Sequence, residues 1–317
     1  MISYFQKYIE RMSIIQQDIL NYIEHEDQEE ENYSNLQKTI EDQKITQNKY
    51  ELKILLYMLN EISNNHHRTP TFFAKIINII QSFKTEIHQY YSNWELFKIF
   101  QNNKRMLLSL FESQIIEFEN LIIRRIMEFK YYNQSYLDYF TPELKQFHDD
   151  NPNYRDANLS FYSQLEQFYQ KLPDDFHNKR IEGENDCYLL KLIRDDSIGD
   201  FISYVNKNEY QINKKGIESS IYETNPLLLK YQLDMTLIDY AAFFGSNQIF
   251  KYLYKNVSEL SLIIWLFAIH GNDPEIIHCI EEYQFKNYIW YSEFLKESIK
   301  CNHNDIARYL EVNYGQQ

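Results

Sequence analysis

Apolar residues recur along this chain at the three- and four-residue intervals of a helix, not in the alternation of a half-buried strand. Tyr4, Phe5, Tyr8, Met12 and Ile15 predict one amphipathic helical face near the start. Leu52, Leu55, Leu56 and Leu59 make a second stripe, ended by the polar run "SNNHHRTP". Ile76, Ile77 and Ile80 begin a third, and Leu96, Ile99 and Phe100 a fourth. The stretch from Thr141 to Asn158 holds two prolines and many turn-forming polar residues. It is expected to be a boundary region, followed by a short helix near Phe161 to Tyr169. With few glycines and prolines and no alternating runs, the expected fold class is all-α.

The second half repeats itself. "LIRDDSIGDFISYV", "YAAFFGSNQIFKYL", "FAIHGNDPEIIHCI" and "ESIKCNHNDIARYL" share one plan: a short helix, a polar break, then apolar residues at i, i+1 and i+4. The triplets are Phe201, Ile202, Val205; Ile249, Phe250, Leu253; Ile276, Ile277, Ile280; and Ile306, Ala307, Leu310. Those positions share one helical face, so each second helix should bury the same edge. Members start 48, 27 and 30 residues apart, and the wide first gap leaves room for an inserted loop or another degenerate unit near "SSIYETNPLLLK". In the first half, Met106, Leu107 and Leu110 of "KRMLLSLF" echo the same triplet.

The breaks carry capping chemistry. In "NDPEII", Asp273 can cap a helix, Pro274 suits its first turn and Glu275 meets the positive end of the dipole. Ser246 with Gln248 is expected to act similarly, and Thr236 with Asp239 to form a capping box. Small residues concentrate between them. The chain has six glycines, yet Ala241, Ala242 and Gly245 fall within five positions. The alanines predict close helix approach, and Gly245 a helix end with positive φ.

A formal net charge of −14 argues against a nucleic-acid backbone or an anionic membrane as the main partner. Lys7, Glu10, Arg11 and Asp18 interrupt the N-terminal segment, so no signal peptide is expected. No apolar run reaches the ~18 residues a spanning helix needs. Three cysteines are too few and too irregular for a disulfide framework, which fits a cytoplasmic protein.

Candidate chemistry is sparse. Cys301 with His303, or His278 with Cys279, offers a thiol and a base, but no nucleophile sits in a glycine-rich elbow. The same four residues are potential zinc ligands without a paired C-x2-C. His66 and His67, beside Arg68, read as a polar helix end. The acidic run from Glu24 to Glu31 lacks the spaced ligands and glycine turn of a calcium loop. No catalytic residue, metal or cofactor is therefore expected.

"TLIDYAAFFGSNQIFKYLYKN" resembles the ankyrin repeat at Thr236, Ile238, Ala241, Ala242, Gly245, Ile249, Leu253 and Tyr254. With "SSIYETNPLLLK", "AIHGNDPEIIHCIEE" and "SIKCNHNDIARYL", the chain looks like a large protist family that joins a helical N-terminal region to a C-terminal ankyrin domain. The resemblance implies an α-solenoid of stacked helix pairs: a helical region over residues 1–175 and degenerate ankyrin repeats over 176–317. It implies a non-catalytic adaptor or scaffold binding a protein partner. The exposed inner-helix positions it points to are Tyr240, Phe243, Phe244, Phe267, His270, Glu297 and Lys300. Leu237 and Asp239 stand where the ankyrin pattern has Pro and His, and the loops between units lack the hairpin glycine, so recognition is expected on the inner-helix face rather than on projecting fingers. An enzyme using the Cys/His set and a self-associating structural protein are the alternatives.

Overall fold

The computed structural model describes residues 2–25, 27–65, 71–129, 134–282 and 291–315, and among them it is helical with no strand. The chain divides into two compact units, Met1–Asp174 and Asp175–Gln317.

The first unit begins with α1 (Ile2–Glu24) and α2 (Glu29–Asp42). A 3-10 turn, Ile45–Gln47, leads to α3 (Lys49–Asn65), α4 (Phe72–Ser82) and α5 (Lys84–Tyr90). Next come α6 (Asn93–Phe100), α7 (Lys104–Glu112), α8 (Asn120–Phe129) and α9 (Gln134–Tyr139). The last three are α10 (Thr141–Asp150), α11 (Pro152–Ala157) and α12 (Leu159–Tyr169). The leucine stripe of α3, together with Ile76, Ile80, Leu96, Ile99, Phe100, Met106, Leu107 and Leu110, lies in one core. Side-chain caps start three of these helices, Asn48 accepting from the Tyr50 N–H at 2.9 Å on α3. Ser92 and Glu95 form a capping box on α6, and Asn103 accepts from the Met106 N–H at 3.0 Å on α7.

Two expectations change here. The Thr141–Asn158 segment is not a linker: its prolines occupy the first turns of α10 and α11, where a missing N–H costs nothing, and Leu144 and His148 are buried. On α1, Tyr8 and Met12 are only half-buried, and the sealed stripe runs later, through Ile15, Ile19, Tyr22 and Ile23. The side chains of Tyr4 and Phe5 and the whole of His66, His67 and Arg68 lie outside the described residues.

The second unit opens with α13 (Phe176–Glu182), α14 (Tyr188–Arg194) and α15 (Ile198–Lys207). It continues through α16 (Pro226–Tyr231), α17 (Leu237–Phe244), α18 (Asn247–Asn256), α19 (Ile264–Gly271) and α20 (Pro274–Glu282). It ends with α21 (Tyr291–Lys300) and α22 (Asn304–Tyr314). Helices α14, α17, α19 and α21 pack in succession, as do α15, α18 and α20, and each first helix packs on the second helix that follows it. The wide first gap holds an inserted loop with one short helix, α16, whose N-terminus is capped by Asn225.

One turn recurs between the paired helices. Asp196, Gly245, Asn272 and Asn302 all have left-handed backbone, with φ of 47°, 63°, 47° and 59°. In three of the turns the next N–H bonds five residues back, Ser197 to Leu192, Ser246 to Ala241 and His303 to Ser298. The shared turn also shifts the first member by one residue: Phe201 stands where Phe250 stands, and Ile202 is only half-buried.

Capping is partly shared between neighbours. Asp273 caps its own helix, accepting from the N–H groups of Glu275 and Ile276 at 2.9 and 3.0 Å. Ser246 makes no side-chain cap on α18, because its hydroxyl is turned into the interior. Asp196, from the preceding pair, accepts instead from Gln248 and Ile249 at 3.0 and 2.9 Å. Asp239 reaches back to the Thr236 N–H at 2.9 Å and hydroxyl at 2.7 Å, as the box requires, and its other oxygen accepts from Ser261 at 2.6 Å. That bond ties the loop leading into α19 to the start of α17.

Helices α17 and α19 approach each other closely. A Cβ placed on Gly271 would lie 1.9 Å from the Ala242 carbonyl oxygen, while one on Gly199 would meet nothing within 4 Å. Gly271→Ala must push the helices apart and should lose at least the ~1–3 kcal/mol typical of overpacking. Gly199→Ala should gain ~0.4–1 kcal/mol. Urea unfolding of both variants checks the pair. Burial also holds the Asp239 carboxyl above its ordinary value, despite its hydrogen bonds from Ser261 and Thr236. The folded chain therefore binds that proton more tightly than the unfolded chain, and the ionised group weighs against the fold as pH rises through the folded value. Ser261→Ala removes a bond to the ionised form and raises that value further. The expected loss is ~1–3 kcal/mol near neutral pH, shrinking as pH falls through the folded value, measured by urea unfolding across that range.

Candidate functional site

The positions expected to form an exposed aromatic face form an internal layer. Tyr240 and Phe243 on α17 and Phe267 on α19 are fully buried, and His270 and Glu297 are 2% and 8% exposed. Phe244 is half-buried, and Lys300 alone of the seven is exposed. This corrects the expected exposure of Tyr240, Phe243, Phe267, His270 and Glu297: the first helices pack tightly in succession, and the inserted segment covers Phe267. Tyr231, at the end of α16, meets Phe267 edge to face at 6.0 Å. The Phe243 ring lies 5.0 Å from Phe244 and stacks on His270 at 4.8 Å. Helix α19 is buried along its whole length.

Tyr240 is held by charge as well as by packing. Its hydroxyl accepts from Arg194 Nη1 at 2.8 Å. Arg194 also pairs with Glu184 at 2.6 Å and donates to the Asn185 carbonyl at 2.8 Å. Burial pushes the Tyr240 phenol far above its ordinary value, so it stays neutral. This cluster joins the loop before α14 to α17.

A second polar cluster lies between α19 and α21. His270 Nε2 and Glu297 Oε1 are 2.8 Å apart, and Lys300 Nζ lies 3.3 Å from the other Glu297 oxygen. Burial pushes the Glu297 carboxyl up, but the His270 bond and the His270 and Lys300 charges outweigh it and leave the group below its ordinary value. Cys301 follows one helical turn after Glu297, its N–H bonded to the Glu297 carbonyl at 2.9 Å. Its thiol is driven well above its ordinary value by burial and then by the Glu297 charge, so it is held protonated.

Among the described residues, His270, Glu297 and Cys301 are the one set of three or more His, Cys, Asp or Glu donors that lie together. The four residues weighed from the sequence do not assemble with them. His278 is largely exposed beside Glu281 at 3.6 Å, Cys279 is half-buried on α20, and His303 sits at the start of α22. Sequence reading paired Cys301 with the nearby His303 because it follows in order. The partner that packing supplies is His270, some thirty positions earlier, and the signal for it was the spacing of Glu297 and Cys301 on one helical face.

The first unit carries a surface pocket of about 360 Å³ between α6 and α8. Trp94 and Leu121 give it apolar walls, while Lys98, Arg124 and Arg125 bring three cations against one carboxylate, Glu128. Lys98 Nζ lies 5.8 Å from the Trp94 ring centre, and Arg125 pairs with Glu128 at 3.1 Å. In a chain of net charge −14 this is a local reversal of sign that no run of basic residues announced.

No family model, curated protein or solved structure matches the chain. No helix among the described residues is long and apolar enough to cross a membrane.

An internal role for the aromatic layer has a direct consequence. Phe243→Ala should cost ~3–5 kcal/mol in urea unfolding, the loss of a packed core phenylalanine, where an exposed contact residue would cost a few tenths.

Proposed function

We propose that the chain is a non-catalytic protein–protein interaction module, with degenerate ankyrin-type helix pairs stacked as an α-solenoid in its second half. The recurring turn carries this reading: four helix pairs share a left-handed residue at the same place, and like helices pack on like. Such stacks are built from nearest-neighbour contacts and present extended edges to partners. The cytoplasm suits three cysteines that form no disulfide among the described residues.

Because the inner aromatics are sealed, the contact edge moves to the loops. Leu233, in the loop leading into α17, is 83% exposed, and Leu262, leading into α19, is 67% exposed. The Ser261–Asp239 bond ties the Leu262 loop to the first turn of α17, into which the Leu233 loop leads. Two exposed leucines on adjoining loops give a partner an apolar contact that costs the fold little to change. The basic, Trp-walled pocket of the first unit is a second contact for an acidic side chain of a partner. A buried, protonated Cys301 favours binding over the alternative of a Cys/His enzyme, since only the thiolate is a nucleophile.

The test is capture from cell lysate with the wild-type chain and a Leu233→Asp, Leu262→Asp variant, both shown folded by circular dichroism. The expected result is a partner lost or reduced at least ~10-fold by the variant, which corresponds to ~1.4 kcal/mol. Identical capture by both chains rejects the loop edge. A concentration-dependent mass that the variant abolishes assigns the same edge to self-association.

A further inference from the structure

We propose that His270 Nε2, a Glu297 carboxylate oxygen and Cys301 Sγ form a binding site for one zinc-class divalent cation, which clips α19 to the end of α21. The donor atoms all lie within 4.8 Å of one another, with the nitrogen and the nearer oxygen 2.8 Å apart. Around a zinc ion with bonds of about 2.0–2.3 Å, donor atoms sit roughly 3.3–3.7 Å apart. Loading therefore asks the hydrogen-bonded pair to open and the three donors to close on the ion, small movements that side-chain torsions supply.

The backbone that brings the donors together is fixed independently of any ion. Glu297 and Cys301 are one turn apart and linked by their own main-chain bond, so their side chains share a helical face. His270 arrives from α19, which packs on α21, and Phe243 stacks on the imidazole at an interplanar angle of 24°, setting its plane. Lys300 lies 3.3 Å from the second Glu297 oxygen and has a 54% exposed side chain. It can stay on that oxygen as an outer-shell donor while the first oxygen turns to the cation.

The charges balance. The hydrogen bond between imidazole and carboxylate occupies the position of the ion with a proton. Binding displaces two protons: the Cys301 thiol proton leaves to solvent, and the Nε2 proton leaves to solvent from a charged imidazole or passes to Nδ1 in a neutral one. The 2+ ion is then met by one carboxylate and one thiolate, and the positive charge that remains is that of Lys300, whose 54% exposed side chain keeps it in contact with solvent. Mixed imidazole, carboxylate and thiolate donors suit zinc and its spectroscopic substitute, cobalt(II).

Chelator-treated full-length protein titrated with cobalt(II) tests the site. The expected result is one ion per chain and a thiolate-to-cobalt charge-transfer band. The band should disappear in Cys301→Ser, persist in Cys279→Ser, and require at least ~10-fold more metal in Glu297→Gln, which can keep a hydrogen bond to His270. X-ray absorption of the zinc-loaded wild-type chain should show one sulfur among nitrogen and oxygen neighbours, a readout that needs no variant to fold. A folded wild-type chain with no charge-transfer band overturns the proposal. So does a band that survives Cys301→Ser, or bound zinc with no sulfur neighbour, the pattern of adventitious surface histidines such as His278.

Discussion

The second unit depends on one contact, the carbonyl oxygen of Ala242 lying where a side chain on Gly271 would have to be. Two helices can approach this closely only if one of them presents hydrogen in place of a methyl. Once α17 and α19 are that near, the large residues around the contact have nowhere to go but into the layer between neighbouring helices. Phe243 lies against His270, and Phe267 against Tyr231 of the inserted segment. A helix as apolar as α19 is then satisfied by burial on every side.

Packing this tight leaves the polar groups to hold the pairs in register. The connections are made across neighbours rather than within one helix. Asp196 caps the helix of the next pair, Asp239 receives Ser261 from the following loop, and His270 meets Glu297 on α21. Asp239 and Glu297 are buried acceptors, costly if their partners are lost, so these links resist sliding of one pair on the next. The same sealing settles where chemistry is accessible. The inner face of the first helices is closed to anything large, while Leu233 and Leu262 in the loops stay open to solvent.

Much of this was legible in the residue pattern. The leucine stripe of α3, the triplets of α18 and α22, the Thr236–Asp239 bond and the positive φ of Gly245 are local facts, fixed by neighbours within about five positions. Errors arose where a local rule met a longer-range one. The prolines near residues 142 and 152 read as breaks, because spacing alone does not distinguish a proline that ends a helix from one that begins it. Ser246 read as a cap, but the competing acceptor, Asp196, lies some fifty residues away. Tyr240, Phe243 and Phe267 sit on an exposed face by analogy of position, but here Phe267 is covered by Tyr231 of an insertion the analogy lacks, Tyr240 meets Arg194 and Phe243 stacks on His270.

By itself, then, the sequence determined that the chain is helical, where its second half turns, and which edge of each second helix is apolar, because helix periodicity, capping and left-handed turns are decided by adjacent residues. Tertiary structure decided which first-helix side chains see solvent and which polar groups meet. The pairing of His270, Glu297 and Cys301, the covering of Phe267 by Tyr231 and the gathering of Lys98, Arg124 and Arg125 beside Trp94 all join residues from separate elements. Such contacts depend on the distance and angle at which whole helices pack, and that geometry follows from the sum of many side chains rather than from any short stretch of them.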